Sequence, residues 1–144
     1  MARCSAGARM SAIATTVRGP SVYATTGVKP AIREIGVTNT TTTACTVAVV
    51  RASATGTQGA GLTEICESDD AHTVIATAFN THTADATVGA PIRYASLGAA
   101  IGSGVIWTFG DNGFVLDNAT TAGCVIICPT GTGQILDFYI VWDE

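Results

Sequence analysis

Two histidines, His72 in "DDAHT" and His82 in "NTHTAD", lie close in sequence to carboxylates, Asp69 and Asp70 for the first and Asp85 for the second. Imidazole and carboxylate at close quarters bind zinc-like ions or relay protons. Their spacing fits no helix-borne metal or catalytic motif, and loop histidines flanked by threonine more often make ordinary hydrogen bonds. Glu64, Glu67, Asp69 and Asp70 crowd one stretch without the EF-hand pattern, so a solvated acidic loop is expected there. The glycine clusters "GTQGAG" and "GAAIGSG" lack the Gly-Lys-Ser/Thr ending of a phosphate loop and the following helix of a dinucleotide fingerprint. No "GxSxG" elbow is present either. Cys4, Cys45, Cys66, Cys124 and Cys128 are an odd set without zinc-finger spacing. On a strand, Cys124 and Cys128 would stand about 13 Å apart, too far to bridge, so buried free thiols of a reducing compartment are expected. These residues predict no catalytic group, no metal site and no cofactor, and they argue against an enzyme.

The elements that would position any site read as strands. In 144 residues, Thr and Ala each occur 23 times beside 16 Gly, and charged residues are only 12%. Threonine suits a pleated, half-buried surface and glycine the turns between strands. Runs of period two or β-branched character recur: "SAIATTV", "SVYATT", "AIREIGV", "ACTVAVVRAS", "TVIATAF", "PIRYASL", "GVIWTFG", "FVLD", "CVIIC" and "QILDFYIVW". Eight to ten short strands bounded by turn residues predict an all-β, antiparallel, jelly-roll-like β-sandwich. Asn112-Gly113 between "VIWTF" and "FVLD" predicts a hairpin. The polar stretch from Gly56 to Thr73 predicts a crossing connection, and "GLTEICESDDAHTV" has too few apolar positions for more than a turn of helix.

Charge is distributed unevenly. Arg3, Arg9, Arg18, Lys29 and Arg33 all precede the first acid, Glu34, whereas only Arg51 and Arg93 face the eleven acids of the remainder. This predicts an extended basic N-terminal arm over residues 1–30 on an acidic sandwich of residues 31–144, the arm seeking an acidic surface through Arg3, Arg9, Arg18 and Lys29. A basic arm could also grip phosphates, but the acidic body and the absence of aromatics interleaved with cations argue against direct nucleic-acid binding. No stretch approaches transmembrane length, no secretory apolar region is visible near the start, and no membrane association is expected.

The last segment, "QILDFYIVWDE", is apolar on both faces. Leu136, Phe138, Ile140 and Trp142 share one face and are expected in the core; Tyr139 and Val141 share the other and are expected at an oligomer interface. "VIWTF" and "CVIIC" have the same two-sided character, and exposed apolar patches of that extent usually mark interfaces.

Over most of residues 31–144, "AIREIGVTNTTTTACTVAVVRAS", "GTQGAGLTE", "TAFNTHT", "LGAAIGSGVIWTFGDNG" and "GTGQILDFYIVWDE" resemble stretches of small jelly-roll decoration, or cement, proteins of tailed bacteriophages. That resemblance implies a non-enzymatic virion protein, made in the host cytoplasm and carried on the capsid surface, often a homotrimer, that stabilises the shell by bridging major capsid protein subunits. It gives the basic arm a partner in the capsid lattice. Phage tail, fibre or collar components share the fold and form the alternative. A carbohydrate-binding jelly-roll lectin, with Trp107 or Tyr94 as stacking platforms, is a further one.

Overall fold

Along "CTVAVV", Val47 and Val49 point one way and Ala48 and Val50 the other, as the two-residue period of a strand requires, yet all four are fully buried. That double burial organises the molecule. The computed structural model describes residues 1–11, 18–130 and 134–144. Its strands are β1 (Arg3–Met10), β2 (Ser21–Tyr23), β3 (Ala31–Asn39), β4 (Cys45–Ala54), β5 (Thr57–Gln58), β6 (Ile65–Cys66), β7 (Thr77–Phe79), β8 (His82–Ala84), β9 (Thr87–Leu97), β10 (Gly104–Thr108), β11 (Phe114–Val115), β12 (Gly123–Ile127) and β13 (Leu136–Asp143). No helix forms among the described residues. The expected strand "SAIATTV" falls almost wholly outside them.

Among the described residues every strand pairing is antiparallel, and two sheets pack as a β-sandwich. The first sheet runs β10-β3-β13-β1-β6 with β11 also on β3; the second runs β7-β2-β12-β4-β9; β5 and β8 make a separate two-stranded ribbon. Between the sheets lies the main core, where Leu136, Phe138, Ile140 and Trp142 of β13 meet Ile32, Ile35 and Val37 of β3 and Val22, Val47, Val49, Cys124 and Ile126 of the second sheet. Each buried aliphatic side chain of this kind contributes about 1.5–3 kcal/mol.

A smaller apolar cluster sits on the outer face of the second sheet: Tyr23, Ala48, Val50, Ala52, Val125 and Ile127, with Phe79 and Val88 against it. The two-sided apolarity of β4 and β12 is therefore used up within the chain. "CVIIC" needs no second molecule to explain it.

Residues 3–10, expected within an extended arm, form an inner strand. β1 pairs with β13 over eight positions from Arg3↔Asp143 to Met10↔Leu136 and with β6 on its other side. Backbone bonds between Ala2 and Glu144 lengthen the ladder. Ala2, Cys4, Ala6 and Met10 face inward and are buried, a pattern disguised in the sequence because Ala and Gly are poor strand formers. β2 also belongs to the sandwich, so the first 30 residues contribute strands to both sheets.

The expected hairpin at Asn112-Gly113 is absent. β10 and β11 both pair with β3, in succession, Thr108 opposite Glu34 and Phe114 opposite Ile32. They are one edge strand interrupted by residues 109–113. The turn is there, closed by Gly113 N–H on the Gly110 carbonyl with both glycines at φ 65°. It makes an outward excursion instead of reversing the chain, because Arg33 donates to the Gly110 and Asp111 carbonyls and holds the loop down.

Candidate functional site

With its even-numbered residues committed to the core, β13 presents Asp137, Tyr139, Val141 and Asp143 on the outer face of the first sheet. Register sets Gly7 of β1 and Gly36 of β3 on either side of Tyr139. A Cβ on Gly36 would come 2.0 Å from the Tyr139 ring, so the ring occupies the space a side chain would need. The Tyr139 hydroxyl donates to Glu34 Oε1 at 2.6 Å. Partial burial, and then this bond to a carboxylate, push the phenol up to about 12.

Ile106 of β10 stands opposite Gly36 on the same face and is 63% exposed. Gly36, Gly104, Ile106 and Tyr139 line a shallow depression of about 440 Å³. At the far side, Ile65 of β6 pairs with Ser5 and is 61% exposed. An apolar band with small residues between its larger ones thus crosses the sheet from Ile65 through Val141 and Tyr139 to Ile106.

Ion pairs bound the band at both ends. Arg9 makes a two-pronged contact with Asp137, at 2.7 and 2.9 Å. Arg3 and Arg33 converge on Asp143 at 3.0 and 2.6 Å. Burial of Asp143 opposes its charge, but the two guanidinium groups outweigh that and hold its carboxyl below the ordinary 3.8. Arg18 pairs with Asp85 at 2.7 Å, and Lys29 lies 3.6 Å from Asp117. All four cations expected to grip an external acidic surface therefore meet carboxylates of their own chain.

The histidines are placed apart. His82 of β8 is buried beneath the ribbon; its Nδ1–H donates to the Gly19 carbonyl at 3.0 Å, which leaves Nε2 to accept from the Tyr23 hydroxyl at 3.0 Å. Burial holds this imidazole below its ordinary 6.5, despite the Gly19 bond acting the other way. His72, in the loop between β6 and β7, bonds through Nε2 to Glu144 Oε1 at 3.0 Å. Glu144 also accepts from the backbone N–H groups of Ile75 and Ala76 and from the Trp142 indole. Cys4 stands near this pair, and burial pushes its thiol up to about 12.

Of the two aromatic residues expected as sugar platforms, Trp107 is in the core, and Tyr94 is half exposed on β9. Tyr139 and Val141 lie on the outer face as the alternation of β13 requires. Gly36, Glu34 and Ile106 complete that face without having been singled out. The signal for them was the interruption of "AIREIGV" by a glycine and the unpaired Ile in "GVIWTF", but only the register shows that both meet Tyr139. Compared with known protein families, curated proteins and solved structures, the chain gives no match.

Proposed function

We propose that this chain is a structural protein of a phage virion, a jelly-roll-type sandwich that associates with copies of itself, as a trimer, and decorates the capsid by bridging major capsid protein subunits. It works by binding and not by catalysis. The observation that carries the assembly half of this reading is the uncovered apolar band around Tyr139 and Ile106 on one outer face of the sandwich. What supports the virion setting is the resemblance of its segments to phage decoration proteins.

Attachment in this proposal belongs to the folded body. Arg3 and Arg9 sit on a strand of the sheet and, with Arg18 and Lys29, meet the chain's own acids. An arm reaching outward would have to give up these contacts. A trimer attached at several points gains avidity from each added contact, so modest individual surfaces suffice.

Imaging of phage particles assembled with and without the protein tests the setting. Density distributed over the capsid lattice is expected; density confined to one vertex would assign the protein to the tail or collar, and none at all would overturn the virion role.

A further inference from the structure

Three segments remote in sequence meet where β1 begins and β13 ends. Cys4 points inward from β1, Glu144 follows β13 and is tied by backbone bonds to Ala2, and His72 reaches in from the loop between β6 and β7. The Cys4 thiol, a ring nitrogen of His72 and a carboxylate oxygen of Glu144 all lie within 4.8 Å of one another. Cys66 is the direct cross-strand partner of Cys4.

These are the donor types that a borderline-soft divalent ion prefers. Ligand atoms around a tetrahedral zinc stand roughly 3.3–3.8 Å apart, given bond lengths of about 2.0–2.3 Å. The His72 to Glu144 distance of 3.0 Å is already close to that, and the Cys4 thiol, within 4.8 Å of both, needs to approach by no more than about an ångström.

The surroundings are those of a supported site. The Glu144 side chain is fully buried and oriented by the Ile75 and Ala76 N–H groups and the Trp142 indole, the kind of outer contact that fixes a metal-binding carboxylate. Access is open on one side, through a cleft of about 380 Å³ lined by Met1, Ala2, Ser68, Asp69, His72 and Glu144.

We propose that Cys4, Cys66, His72 and Glu144 form a binding site for a zinc-class divalent ion. On binding, the two thiol protons pass to water, His72 turns from its bond to Glu144 to offer an unprotonated ring nitrogen with its N–H on the other one, and the ion takes the place of that bond. The bound ion ties together β1, β6, the loop carrying His72 and the end of β13, locking the edge of the first sheet.

Titration of the reduced 144-residue protein with Co²⁺ tests this, since thiolate ligation gives a charge-transfer absorption in the near ultraviolet that carboxylate and imidazole alone do not. The expected result is saturation at one equivalent, displacement by Zn²⁺ and a rise in Tm. Cys4→Ser should abolish the band or sharply reduce it, Cys66→Ser should lower its intensity by about half, as expected for losing one of two thiolate ligands, and His72→Gln should weaken binding at least tenfold, roughly the lower bound for losing a supporting group. Cys124→Ser, a buried thiol elsewhere, should leave the titration unchanged. Circular dichroism confirms that each variant is folded. No charge-transfer band in the reduced wild-type protein, or a band unaltered by Cys4→Ser, Cys66→Ser or His72→Gln, overturns the proposal.

Discussion

Tyr23 and Tyr139 solve the same problem on opposite outer faces of the sandwich. Each lies against a glycine directly across from it on the neighbouring strand, Gly123 for Tyr23 and Gly36 for Tyr139. A Cβ at Gly123 would come 2.3 Å from the Tyr23 ring, matching the 2.0 Å at Gly36. An aromatic ring over a strand glycine restores the packing that the missing side chain forfeits. What differs is the cover. Tyr23 is roofed by His82 and Phe79 in edge-on contacts and is 1% exposed, whereas Tyr139 is half-buried beside Glu34 and its strand neighbours. One face has been made into core by the chain itself, and the other keeps an apolar band between ion pairs, with Ile106 and Ile65 open. The pairing teaches that two-sided apolarity in a strand has two outlets, a roof from the same chain or a second molecule.

The largest effect expected from this contrast is at the tyrosines. Tyr23→Ala should cost about 3–5 kcal/mol in urea unfolding, as truncating a buried aromatic does, and Tyr139→Ala about half of that or less in the monomer. Equal losses would erase the distinction between roofed and open. The glycines sharpen it. Gly123→Ala should cost about 1–3 kcal/mol because the roof prevents the Tyr23 ring from lifting, while Gly36→Ala should cost less, since Tyr139 can swing toward solvent.

pH should act on the roofed face through His82. Its folded pKa is depressed, so the unfolded chain takes up a proton near pH 6.5 that the folded protein resists. The associated stability is complete above that pH and is lost as pH falls below it. Urea midpoints measured from pH 7 to pH 5 should decline in the wild type and decline less in His82→Gln. At the small end, Arg9→Ala should change stability by no more than about 0.2–1 kcal/mol, because the Arg9–Asp137 pair is exposed. A greater loss would mean that the ion pairs at the border of the band hold the sheet together.

The alternation of Leu136, Phe138, Ile140 and Trp142 was legible because a strand's period of two is written directly in the residues, and all four are buried. The short strands of an antiparallel sandwich were legible for the same reason. β1 was not, since "RCSAGARM" carries little β propensity and owes its place to pairing with β13, more than 120 residues away. The charge asymmetry was visible but its resolution was not. Arg9 and Asp137 are 128 residues apart, and only register sets them side by side. The same holds for Cys4, His72 and Glu144: the first two were noted singly, Glu144 was not, and their convergence depends on three separate segments. Asn112-Gly113 marked a turn correctly in kind but not in consequence, because Arg33 pins the loop so that the chain continues along β3.

Light scattering of the purified protein, wild type beside Ile106→Arg, measures the central claim most directly. Ile106 is exposed, so a charge there should leave the monomer folded while ruining the apolar band. Three times the 14.6 kDa chain mass is expected for the wild type and the single-chain mass for the variant. A wild-type protein that scatters as a monomer, or a variant that assembles as the wild type does, would contradict assembly through the open face of the first sheet.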